Sequence, residues 1–436
     1  MNAIDPKLSR RSFLVTAAAA GGGLAVGFHL PEGGPRFAQA STKGSEVTAW
    51  IVIEPSNAVT IRVARSEMGQ GSMTGLCQLV AEELECDWKN VRAEFASTNE
   101  NVRRKRVWGT MATGGSRGVR DSQGYVRQAG AAAREMLVAA AAARWKVPAG
   151  ECSAENGVVS HKASGRKHTY GELAAEASKL EPPKNVKLKA PKDWKIAGQP
   201  VERLDIPDKV MGKPVYAIDV RLPNMAYAAI KHCPVFGGTV GTVDEAAVKG
   251  MKGVLQVVRL GNAVAVVADT YWRARQAVEK LPVTWAGTEI NAKVSSDTIR
   301  AFLKAGLDAT EIPLARNDGD AKAELAKAAK IIEAEYEAPF QNHAPMEPQN
   351  CTASVTADRI DLWVPTQNSE ASAATAAAAS GMPLDKIEVH KTMLGGGFGR
   401  RGAHQEPVRE AVLIAKAAGR PVQLIWSREE DMQHGR

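Results

Sequence analysis

Three glycine-rich turns, each placed just ahead of a stretch with helical periodicity, constrain this chain more than any other feature of its sequence. They are Gly69-Gln70-Gly71, Thr113-Gly114-Gly115-Ser116 and Gly395-Gly396-Gly397-Phe398-Gly399-Arg400-Arg401. Glycine lets the backbone turn sharply and approach a ligand closely, and the unpaired amides at a helix start attract anionic oxygens. Arg400 and Arg401 add forked donors suited to phosphate. One such turn is usually a plain loop. Three in one chain point to a large ligand with a phosphate end and several polar edges. Nucleotide motifs fit poorly: the third loop lacks the Lys-Ser/Thr pair of a Walker A sequence, and Arg400 stands where a dinucleotide fingerprint has its last glycine.

The segments between the turns read as an α+β protein. Val47–Ile53 and Ala58–Ala64 are β-rich runs around Pro55-Ser56-Asn57, which predicts a hairpin. Leu76, Leu79, Val80 and Leu84 fall on one face at helical spacing, so residues 72–85 are expected to be an amphipathic helix, and an Ala-rich helix should run from Asp121 to Trp145. Prolines and lysines over residues 181–204 predict a linker after a first segment of residues 41–180. Beyond it, strands are expected at Val215–Val220, Met225–Ile230, Val254–Val258 and Ala263–Ala268, then a helix over Tyr271–Glu279 and a strand at Val283–Trp285, as a separate small unit over residues 205–290. The last region, 291–436, should open with a strand at Ile331–Tyr336. Strands at Thr352–Thr356, Ile360–Trp363, Ile387–Lys391 and Val422–Trp426 then alternate with helices at Glu370–Ser380 and His404–Ala418.

A formal charge of +8 spread over 436 residues, with 24% charged residues, is a mildly basic surface and not a nucleic-acid footprint. The basic runs Arg103–Arg106 and Lys184–Lys195 read as solvated loops. The five cysteines lie far apart, with no C-x-x-C pair, so neither a zinc site nor an iron-sulfur cluster is specified. The amino terminus reads Ser9-Arg10-Arg11-Ser12-Phe13-Leu14, followed by an Ala/Gly-rich apolar run and Ala38-Gln39-Ala40. That order is expected of a twin-arginine export signal over residues 1–40, and hence of a periplasmic protein.

Five blocks carry a more specific likeness: Arg65 to Gly71, Ala344-Pro345-Met346-Glu347-Pro348, Pro365-Thr366-Gln367-Asn368, Gly395 to Arg401, and Trp426 to Asp431. Together they resemble the signatures of the molybdopterin-binding large subunit of the xanthine dehydrogenase family, and the early Gly69-Gln70-Gly71 block resembles its isoquinoline 1-oxidoreductase and aldehyde oxidase-like branch. The resemblance implies an α/β-hammerhead domain over residues 205–290, flanked by two segments of a molybdenum-cofactor-binding domain, 41–180 and 291–436. It implies a molybdenum-molybdopterin cofactor, in the cytosine dinucleotide form, whose metal takes no protein side chain as ligand. Gln367 would then hydrogen-bond an apical ligand of the metal, and the amides around Phe398 and Gly399 would sit at its oxo group. Gln70 and Gly71 would hold the pterin and Gly115 and Ser116 its phosphate end, with Gly396, Gly397 and Arg400 completing the third loop around it. The resemblance also implies an aldehyde or N-heterocycle substrate and a small [2Fe-2S] subunit that accepts the electrons. Gly402 replaces a glutamate that xanthine dehydrogenases place after this loop, which argues against a purine substrate. The family's catalytic glutamate is expected beyond Arg436, in a carboxy-terminal half, so the chain alone is expected to lack activity. Glu67 and Glu347, the nearby motif carboxylates, are expected to hold turns.

Overall fold

The run from Val47 to Ile53 reverses direction at Ala49-Trp50 and so yields two strands, β1 (Ser45–Thr48) and β2 (Ile51–Ile53), in a computed structural model that describes residues 44–435 apart from 312 and 317. The twin-arginine segment lies outside the described residues. β2 continues antiparallel into β3 (Val59–Val63) through a turn in which Asn57 takes φ 70°, a left-handed conformation asparagine tolerates. Helix α1 (Ser72–Leu84) then crosses over to β4 (Val91–Phe95), which pairs parallel to β3 as such a crossover requires. α2 (Gln123–Trp145) lies on α1. Gly130 makes room for the contact, since a Cβ there would stand 2.6 Å from the Val80 carbonyl oxygen. Ile51, Ile61, Leu76, Val80 and Leu137 meet in the core these elements share.

A three-stranded antiparallel sheet, β5 (Cys152–Glu155), β6 (Val158–His161) and β7 (Arg166–Thr169), is not apparent from the sequence because its strands are short and mostly polar. It leads into α3 (Tyr170–Ala177), whose start carries a Thr169–Glu172 capping box. The expected linker is instead a strap bound to α1. The buried Glu82 carboxylate accepts the amides of Lys195, Ile196 and Ala197 at 2.9, 2.5 and 3.0 Å and pairs with Lys189. Of the lysines read as solvated, Lys189 is drawn in by this acid, while Lys184, Lys187, Lys192 and Lys195 stay exposed.

The remaining strands are β8 (Ala226–His232), β9 (Thr239–Val243), β10 (Val254–Arg259), β11 (Ala263–Ala268), β12 (Val283–Ala286), β13 (Asn350–Val355), β14 (Ile360–Val364), β15 (Ile387–Lys391) and β16 (Val422–Ile425). All but β9 and β12, which form their own ribbon, join one seven-stranded sheet in the order β10-β11-β8-β16-β13-β14-β15. Residues 205–290 and 291–436 therefore share a sheet through the parallel pair β8–β16, in place of the separate unit expected from the sequence. The reason is that β11 is apolar on both faces. Ala263, Ala265 and Val267 lie in one buried cluster with residues of α6 (Ser369–Ser380) and α7 (Glu406–Ala418), while Val264, Val266 and Ala268 lie in another with residues of α4 (Tyr271–Lys280); the intervening α5 (Ser296–Gly306) buries none of its side chains.

Two expected strands do not form. At Val215–Val220 the carbonyls of Ala217 and Ile218 accept the Gln423 side-chain amide, and the segment ends in a short helical turn. Ile331–Tyr336 is irregular with Ile332 and Tyr336 exposed, because an alternating pattern makes a strand only where a partner completes the ladder. No helix among the described residues is long and apolar enough to cross a membrane.

Candidate functional site

The first core and the seven-stranded sheet are joined by contacts between residues hundreds of positions apart. Thr113 N–H donates to the Gln367 carbonyl at 2.7 Å, and Gln367 Nε2 donates back to the Thr113 carbonyl at 2.9 Å. Ser66 Oγ donates to the Thr366 carbonyl at 2.8 Å, and Leu394 N–H to the Glu67 carbonyl at 3.1 Å. These ties bring the three glycine turns onto a single cleft of about 870 Å³, with Gln70, Gly71, Gly115, Ser116, Gln367, Phe398 and Gly399 in its wall.

In the first turn, Glu67 gathers the backbone. Its carboxylate accepts the amides of Gly69, Gly71 and Met73 at 2.9, 3.0 and 3.0 Å, so it caps α1 from six residues before Met73. The Gln70 side chain is engaged in the turn itself, accepting from Met68 N–H and donating to the Ser66 carbonyl and Ser72 Oγ. Arg203 Nη1 closes the turn from outside, 3.0 Å from the Gly69 carbonyl. The second turn places Gly115 and Ser116 in succession at φ 58° and 54°. Among the described residues, the amides of both make no hydrogen bond. Successive free amides in a turn form a concavity suited to an anionic oxygen.

The third turn is the tightest. A Cβ on Gly397 would stand 2.5 Å from Gln367 Oε1 and 2.8 Å from Met68 Sδ, so only glycine lets this loop lie against Gln367 and Met68. Gln367 Oε1 accepts the Gly399 amide at 3.0 Å. Phe398 takes φ 54° and leaves its ring 72% exposed, an uncommon backbone conformation and an uncommon exposure for phenylalanine, both at one cleft-lining residue.

Arg400 corrects a sequence expectation. It is fully buried, its guanidinium 5.6 Å from the Trp426 ring and 3.3 Å from Glu406, so it faces the core and not the cleft. The Arg400 N–H···Gly397 carbonyl turn at 2.9 Å carries the chain back beneath the loop. Arg401 is also buried, with burial pulling it down to about 10, and it donates to the carbonyls of Gly396 and Glu347. Gly396 and Gly397 act behind the cleft wall, shaping the loop. The cation at the cleft is Arg117, directly after Ser116, which the sequence does not single out even though its glycine neighbours stand out. Glu347 accepts the amides of Ile218 and Gly395 at 3.2 and 2.9 Å and the Asn350 side chain at 3.0 Å. Both motif carboxylates therefore hold turns.

Two sequence profiles described as the molybdopterin cofactor-binding domain match residues 9–219 and 308–436 of this chain. The chain belongs to the molybdopterin cofactor-binding family. It is 32% identical to the beta chain of the isoquinoline 1-oxidoreductase of Brevundimonas diminuta, over 98% of this chain and 60% of that protein. It is 30% identical to the membrane-bound aldehyde dehydrogenase [pyrroloquinoline-quinone] of Gluconacetobacter polyoxogenes, over 98% and 56%. It is 29% identical to a nicotinate dehydrogenase subunit of Pseudomonas putida, over 92% and 34%. The chain thus spans from about a third to three-fifths of the length of these relatives. The family is one of molybdenum oxidoreductases, and its cofactor is a molybdenum-molybdopterin. The cleft residues fit such a group: two free consecutive amides with Arg117 nearby suit a phosphate, and Gly397, by carrying no side chain against Gln367 and Met68, lets both stand in the cleft wall.

Proposed function

We propose that this chain supplies the cofactor-binding part of a molybdenum hydroxylase that oxidises aldehydes or N-heterocycles. The observation that carries the reading is the convergence of the three glycine turns on one cleft. When bound, the molybdenum-molybdopterin group supplies the two-electron redox centre and the water-derived oxygen of the product. The chain's own residues bind and position it. Gly115, Ser116 and Arg117 hold the phosphate end, which the reading takes to be the cytosine dinucleotide form. Gln367 keeps its carbonyl oxygen on Gly399 and one amide hydrogen on Thr113, which leaves its other hydrogen to the cleft. Phe398 shields the opening from water, and the Gly69–Gly71 turn presents backbone to the pterin edge.

Glu67 and Glu347 are tied to backbone amides, so neither is free to take a proton from a nucleophile. The reading assigns that step to a group outside residues 44–435, a small [2Fe-2S] subunit as electron acceptor, and the periplasm, reached through Arg10-Arg11, as the compartment. The same engagement of both acids favours a second form of the reading, in which the chain binds cofactor but turns over substrate only when further polypeptide is joined to it.

The test is to purify the chain from a host that makes the cofactor and to measure molybdenum and pterin per chain. Gly397→Val and Ser116→Pro should each retain less than a tenth of the wild-type content while the purified protein stays folded. Wild-type content in both variants would refute the placement. Dye reduction with an aldehyde or N-heterocycle, assayed with and without the remaining length of the relatives supplied in trans, separates the two forms. Arg10 and Arg11 replaced by lysine should leave the protein in the cytoplasm.

A further inference from the structure

β8 ends at His232, and the short helix α8 (Arg428–Gln433) brings Glu430 and the following His434 over that end. His232 Nδ1 lies 2.7 Å from Glu430 Oε2, and His434 Nδ1 lies 3.4 Å from the same oxygen. The outer nitrogen of each ring is held separately. His232 Nε2 meets buried Glu410 on α7 at 2.9 Å, and His434 Nε2 meets the Cys233 carbonyl at 3.1 Å. Both rings therefore present Nδ1 to one carboxylate oxygen while an acceptor fixes the far side. Metal-ligating histidines are held in this way, with the outer N–H on a carboxylate or backbone carbonyl.

We propose that His232, Glu430 and His434 form a site for a divalent transition-metal ion of the zinc class, bound by the two Nδ1 atoms and a Glu430 oxygen. The three ligand atoms lie within 4.8 Å of one another. Zinc ligands at about 2.0–2.1 Å in tetrahedral array stand roughly 3.3 Å apart, and the 2.7 and 3.4 Å separations lie on either side of that spacing. A cavity of about 40 Å³, lined by His232, His434, Cys233 and Glu410 but not by Glu430, adjoins the cluster and has room for a water as a fourth ligand.

Charge and hydrogen bonding favour a cation here. Glu410 and Glu430 both face His232, while the arginines around the cluster are paired elsewhere: Arg400 with Glu406, Arg275 with Glu279 and Glu429, and Arg428 with Asp431. Two carboxylates balance one divalent ion with neutral imidazoles. A neutral His434 has a single N–H, yet oxygen faces both of its nitrogens: the Glu430 carbonyl 3.1 Å from Nδ1 and the Cys233 carbonyl from Nε2. A metal at Nδ1 turns the unmatched lone pair into a ligand. The cluster has no part in the cleft, so its test is independent of the cofactor.

The experiment treats the purified chain with chelator, removes the chelator, and titrates zinc ion alone by calorimetry, with cobalt(II) absorption to report ligand type. The expected result is one zinc per chain and a cobalt spectrum of nitrogen and oxygen ligation in a four-coordinate site. His434→Gln, at the rim of the cluster, should weaken zinc binding at least tenfold, and Glu410→Ala, which removes the outer partner of His232, by about 10–100-fold. Thermal melts without zinc check that both variants are folded, and His390→Gln, at a single His–Asp pair elsewhere, should leave binding unchanged. Absence of stoichiometric zinc binding, or equal binding by His434→Gln, would overturn the proposal and leave the cluster as an ion-pair lock between β8, α7 and α8.

Discussion

Lys391 should make this protein less stable at neutral pH than in mild alkali, and replacing it by methionine should abolish that difference. Its side chain is buried at the end of β15, where Nζ donates to the Ala64 carbonyl at 2.9 Å and lies 5.0 Å from the Phe95 ring centre. Burial comes first among the causes, and Arg65 second, in pulling this lysine from 10.5 down to about 7. The folded chain therefore binds fewer protons than the unfolded chain between pH 7 and 10.5, so stability rises with pH through that window. Below pH 7 the ammonium is charged in both states and the full cost of burying it remains. Each full proton of difference is worth about 1.36 kcal/mol per pH step of one, so the expected gain between pH 6 and pH 9 is roughly 2–3 kcal/mol. The measurement is urea unfolding at pH 6, 7, 8 and 9 for wild type and Lys391→Met. Subtracting one series from the other removes the cysteine and tyrosine groups common to both. A difference that stays flat across the four pH values would refute the reasoning, and so would a wild type that loses stability relative to the variant as pH rises.

Gly130→Ala should destabilise the α1–α2 crossing by about 1–3 kcal/mol, because the new methyl meets the Val80 carbonyl and the Glu83 side chain; an unchanged melting temperature would show that the helices can part without cost. Glu67→Gln weakens acceptance of three amides at the start of α1 and should cost about 1.5–3 kcal/mol in chemical denaturation, with faster amide exchange at Gly69, Gly71 and Met73; exchange confined to other regions would contradict the capping role. Phe398→Ala removes an exposed ring and should alter stability by less than about 0.5 kcal/mol, yet lower pterin retention; a large loss of stability would mean the ring packs where the structure leaves it open.

Much of the secondary structure was legible because it depends on local periodicity. The α1 pattern at Leu76, Val80 and Leu84, the Ala-rich α2, and the alternations that became β8, β10, β11 and β13–β16 each sit within two residues of their expected bounds. The glycine turns were legible for a related reason, since Gly71, Gly115 and Gly399 hold left-handed backbone that other residues resist. Partners separated by a hundred residues or more were not legible. Gln423 takes the carbonyls that would have made a strand of Val215–Val220, and Glu82 turns the lysine-rich linker into a strap. Arg400 reads as a phosphate donor from its neighbours, yet lies under its own loop against Trp426. His232, Glu410, Glu430 and His434 form no motif, because they come from β8, α7, α8 and the chain just beyond, and only the shared sheet brings them together. The sequence by itself determined which segments turn, which form helices or strands and where backbone can meet a large ligand. The tertiary structure alone decided which side chains face that ligand and which are buried, because burial and charge pairing depend on neighbours that local spacing does not specify.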